Sequence, residues 1–84
     1  MKDKLEALRK ERLDAAKKQY DDFCNMIDST MLTFSTGNKD IDEKMSKTQK
    51  ALADEKKKSA LKLYEQTVLD TNTKIDMAIA AMSK

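Results

Sequence analysis

Cys24 is the only thiol in this chain, and there is no histidine to activate it. Nucleophilic catalysis therefore lacks the imidazole base it usually requires. The same two facts exclude an intrachain disulfide and the common zinc ligand sets. The acidic groups Asp21–Asp22 and Asp40–Asp42–Glu43 could interest a hard cation, but D-I-D-E-K lacks the glycine and the terminal glutamate of a calcium loop. Capping of a helix explains those acids better. With Gly37 the single glycine, no glycine-rich loop can cradle a phosphate. The expectation is a protein without metal, cofactor or catalytic residues. Cys24 is expected to be a small buried hydrophobe in a reducing compartment.

The remaining chemistry is basic. Lys17, Lys18, Lys56, Lys57, Lys58 and Lys62 fall in two lysine-rich blocks that could contact phosphates or an acidic partner. Charged residues make up 38% of the chain, yet the net charge is only +2, less than nucleic-acid-binding domains usually carry. Dense mixed charge with abundant Ala, Leu, Lys, Glu and Met is the composition of solvated helices and coiled coils. No run approaches the roughly 18 apolar residues of a membrane span, and the opening M-K-D-K-L-E is too charged for a signal peptide. A cytoplasmic location follows as an expectation.

Two helix-competent arms must carry these residues, because the chain has no proline and Gly37 stands near its middle. In arm one, Leu5, Leu8, Arg12, Ala16, Tyr20, Phe23, Ile27, Met31 and Phe34 recur at steps of three and four, one face of an α-helix. Asp3, with Glu6 three residues on, reads as its capping box. Gly37 then offers the left-handed conformation that closes a helix. Arm two restarts with Asp40 as cap. Its stripe reads Ile41, Met45, Thr48, Leu52, and later Leu61, Tyr64, Val68, Thr71, Ile75, Ala78, Met82. The two stretches are out of phase, so the seam must shift across residues 53–60 by a stutter or a change of partner helix.

The fold class is therefore all-α: an antiparallel, coiled-coil-like two-helix hairpin. One domain spans 1–84, with helices about 3–34 and 40–82 and a turn about 35–39. Folding about Gly37 pairs residues whose numbers sum to about 75, placing Lys56–Lys58 across from Lys17 and Lys18. Arm two then overhangs arm one by roughly 15 Å. Ile75, Met77, Ala78, Ile79 and Met82 lie on that overhang and become the expected partner-binding residues. The four aromatics sit on or beside the apolar stripes and read as core, not as base-stacking platforms. The functional expectation is a non-enzymatic interaction module, an adaptor, assembly chaperone, scaffold or inhibitor, completed by self-association or a helical partner. The alternative is a nucleic-acid-binding hairpin that uses its lysines.

Overall fold

In the computed structural model, which describes residues 1–83, helix α1 covers Lys2–Ser29 and helix α2 covers Lys39–Met82. They pack antiparallel as a hairpin, with no strand among the described residues. Helix α1 stops five residues before the periodicity does, and its own side chains help to stop it. The Ser29 hydroxyl donates to the Met26 carbonyl (2.8 Å) and the Thr30 hydroxyl to the Ile27 carbonyl (2.9 Å). Such local bonds compete with the helical ladder, and the following Thr33, Ser35 and Thr36 are weak helix formers.

Residues 30–38 are not a tight turn but a strap lying along the first turns of α2. The Leu32 amide donates to Gln49 Oε1 (2.8 Å), and Gln49 Nε2 donates back to the Leu32 carbonyl (2.9 Å). Farther on, the Thr36 amide and hydroxyl both donate to Asp42 Oδ1, at 3.0 and 2.8 Å. Gly37 adopts φ +91° inside this strap, where glycine avoids the Cβ penalty, and so it closes no helix. The cap of α2 is Asn38 instead of Asp40: its side chain accepts from the amides of Asp40 and Ile41. Asp3 caps nothing; it lies within the first turn, where Met1 holds the cap position without a side-chain bond. Replacing Asn38 with alanine is expected to cost about 1 kcal/mol, read as a lower midpoint in urea. An unchanged midpoint would remove the capping role.

The strap moves the register. Leu32 meets Gln49, Arg9 meets Asn72 and Asp76, Tyr20 stacks on Tyr64, and Lys57 meets Asp28. Facing residues thus sum to between 81 and 85, not 75. The unequal length of the helices, 28 against 44 residues, is taken up at the strap end. The free ends of α1 and α2 come nearly level, so the expected overhang does not form.

The core between the helices is thin. Its buried apolar residues are Ala16, Ile27, Ala53 and Ile75, with Thr71 the buried polar one. On α2 the seam runs Gln49, Ala53, Lys57, Ala60, Tyr64, Val68, Thr71, Ile75, an unbroken three-and-four spacing that needs no stutter. On α1 Leu13 is half-buried while Arg12 is exposed, so the seam takes the residue next to the one that periodicity selects. The molecule is a single layer of two rods, 70 × 16 × 8 Å, with a radius of gyration of 19.9 Å. A compact chain of this length would have about 12 Å.

Candidate functional site

Leu52 immediately precedes the buried Ala53, and Leu63 immediately precedes the seam residue Tyr64. Consecutive residues on an α-helix point about 100° apart, so both leucines leave the seam for one broad face of the hairpin. Leu52 is 54% exposed and Leu63 70%. Together with Ala16, Tyr20 and Phe23 of α1 and Ala60 and Tyr64 of α2 they line an open groove of about 660 Å³. A second groove of about 530 Å³ lies between the strap and α2, lined by Ile27, Met31, Phe34, Met45 and Ala53 among others. Leu52 and Lys56 border both, so the two grooves form one trough along the same face.

The trough floor is apolar and aromatic. The rings of Tyr20 and Tyr64 stack with centroids 5.6 Å apart and planes inclined by 29°, within the ordinary range for aromatic pairs. The neighbouring Cys24 thiol, helped by partial burial, raises the Tyr20 phenol above its usual pKa. Cys24 itself is half-buried rather than enclosed. No grouping of three or more potential metal ligands occurs among the described residues. No helix among them is long and apolar enough to cross a membrane.

Two ion-pair clusters fix the helix register. Near the free ends, Arg9 Nη1 donates to Asn72 Oδ1 (3.1 Å) and Nη2 to Asp76. Arg9 Nε lies 3.2 Å from the Glu6 carboxylate but out of line for a hydrogen bond. At the other end of α1, Lys57 Nζ donates to Asp28. That bond to Asp28 raises the Lys57 pKa above its ordinary 10.5, against the opposing effect of partial burial. A raised lysine pKa contributes stability that is complete below the unfolded value and is lost as pH climbs through the folded one. Asp28→Asn is therefore expected to lower the melting temperature at pH 7–9, with the gap to wild type closing only above pH 10.5. A gap independent of pH would show that Asp28 acts without Lys57.

The residues singled out from sequence fare unequally. Ile75 is only 5% exposed and lies beneath α1, whereas Ala78 and Ile79 are half-buried on the same seam and Met82 is exposed. Met77, 67% exposed, faces away from that seam. The premise that α1 is too short to cover this end does not hold. The six lysines do not meet either. Lys17 and Lys18 lie level with the stretch around Glu65–Thr67, about ten residues from Lys56–Lys58, a separation of roughly 15 Å along the helix. Lys56 borders the trough, Lys57 is committed to Asp28, and Lys58 and Lys62 are exposed. What sequence reasoning missed is the trough itself, although the phase change at Leu52 was its signal. In comparisons with protein families, curated proteins and solved structures, the chain matches none.

Proposed function

We propose that the hairpin is a non-enzymatic protein–protein interaction module that works through an apolar helix face. It serves as a small adaptor, assembly chaperone, scaffold or inhibitor, completed by self-association or by a helical partner. The observation that carries this reading is the unfilled trough: Leu52 and Leu63 stand exposed beside a seam whose enclosed apolar residues are two alanines and two isoleucines. Fully burying a leucine is worth about 1.5–3 kcal/mol relative to exposure, so a partner that covers this face gains from both leucines. The trough, instead of the free end of α2, becomes the docking surface. A cytoplasmic setting, where a free Cys24 stays reduced, fits the same reading.

Tagged wild-type protein and a Leu52→Lys/Leu63→Lys variant, incubated with extract of the native host, test it. Proteins retained by wild type are expected to be lost by the variant while its far-ultraviolet circular dichroism stays helical. Equal retention by both would sink the reading. Phosphate binding by the lysines draws less support, because Lys56, Lys57 and Lys58 point about 100° apart in succession and Lys57 is already paired.

A further inference from the structure

We propose that the occupant of the trough is a second copy of this chain, with α2 antiparallel to α2 about a two-fold axis passing beside Lys56 and Ser59. This rests on reading the trough as an interaction surface and names its partner. Three features of α2 support it.

The first is angular. Helix α2 carries its α1-facing seam at Ala53, Ala60, Tyr64 and Thr71, and a second stripe about 100° away at Ile41, Met45, Leu52, Leu63 and Met77. All five stripe residues are exposed. Two apolar faces set near a right angle are what a helix at the corner of a four-helix bundle needs, one for each neighbour. The hairpin supplies one neighbour only.

The second is the symmetry at the centre of the stripe, whose outer residues Ile41, Met45 and Met77 fall level with the other copy's Lys74, Asp70 and Asn38. Leu52 and Leu63 lie equally far on either side of the midpoint between Lys57 and Lys58, and so do Thr48 and Thr67. A two-fold axis there sets Leu52 of each copy against Leu63 of the other and Thr48 against Thr67. An isologous interface requires this self-complementarity; an unrelated helix would have to reproduce it.

The third is charge. Residues 44–53 hold Lys44, Lys47 and Lys50 and no acid, while the residues level with them in the second copy, 62–71, hold Glu65 and Asp70 against one base, Lys62. Antiparallel pairing brings each basic segment level with the other copy's net acidic one, and parallel pairing sets like on like. Asp70 lies on the stripe and Lys44 at its edge, while Lys47, Lys50 and Glu65 lie on the other side of α2 and act only at longer range. At the edge of the stripe, Lys44 comes level with the second copy's Asp70, and Glu55 falls between its Lys56 and Lys62. Complementarity of this kind selects orientation more than it adds affinity.

The area is sufficient. The chain exposes 6909 Å², whereas a compact monomer of 9.6 kDa exposes about 5,100 Å². The excess, about 1,800 Å² per chain, is more than the roughly 800 Å² that each partner of a specific interface buries.

Sedimentation equilibrium of the full chain at about 50 µM is expected to give twice 9.6 kDa, and Leu52→Lys/Leu63→Lys to weaken association roughly hundredfold or more. Orientation is read by spin labels on Lys44→Cys in a Cys24→Ser background. Antiparallel pairing places the two labels about 40 Å apart, and parallel pairing about 15 Å. A monomeric wild type, an undiminished dimer in the leucine variant, or the short distance would each overturn the proposal. A monomer that still loses its captured proteins on Leu52→Lys/Leu63→Lys removes only the second copy as occupant. Equal capture by wild type and variant removes the underlying reading as well.

Discussion

Ile75→Ala is expected to cost the hairpin about 2–5 kcal/mol, the range for emptying a buried aliphatic site. Met77→Ala, two residues away, is expected to change the stability of the isolated hairpin by no more than about 0.5 kcal/mol. Ile75 is 5% exposed and Met77 67%. The neighbouring Arg9 bonds to Asn72 and Asp76 hold α1 over Ile75, so little local collapse is available to fill the space. Small domains have total stabilities of about 5–15 kcal/mol, and a seam this thin lies toward the low end. The alanine variant should therefore be largely unfolded near 37 °C. Urea titration followed by circular dichroism checks the pair. Equal, small effects at both positions would mean that the end of α2 is not covered by α1, and would restore the uncovered overhang.

The contrast between those two residues shows what was legible in the sequence. Two helices and their antiparallel packing follow from periodicity, the absence of proline and one central glycine. The seam from Tyr64 to Ile75 follows as well, because its residues recur at three and four without interruption. The register does not follow. Met31 and Phe34 continue the spacing of α1, yet they belong to the strap, where Phe34 borders a groove. Nothing local distinguishes an apolar residue that extends a helix from one that anchors an extended segment on another helix. The distinguishing bonds, Leu32 with Gln49 and Thr36 with Asp42, join residues 17 and 6 positions apart. A tight turn at Gly37 would shift every facing pair, and with it create the overhang and the lysine patch. The trough was half legible. Its sign was the phase change after Leu52, which the sequence leaves open between a stutter and a new neighbour. The unbroken seam through Ala53, Lys57 and Ala60 removes the stutter.

Ala53→Leu is the substitution on which hydrophobic pattern and packing disagree most. By pattern it should help, since it adds a large apolar side chain beside Leu52 at little cost in helix propensity. By packing it should cost about 1–3 kcal/mol. Ala53 is 7% exposed, on the face of α2 that meets α1 where Ile27, also 7% exposed, completes the seam. Three further carbons there would push α1 outward, straining the Lys57–Asp28 pair one turn away. Leu52→Ala, its immediate neighbour, should behave in the opposite way. It empties no site inside the hairpin, so its effect should appear only in the part of the thermal transition that depends on protein concentration. Melts of both variants across a hundredfold range of concentration separate these outcomes. An Ala53→Leu variant more stable than wild type, beside a Leu52→Ala variant destabilised equally at every concentration, would place Leu52 in the seam and Ala53 outside it. The seam would then run through the large residues of α2, and the trough would close.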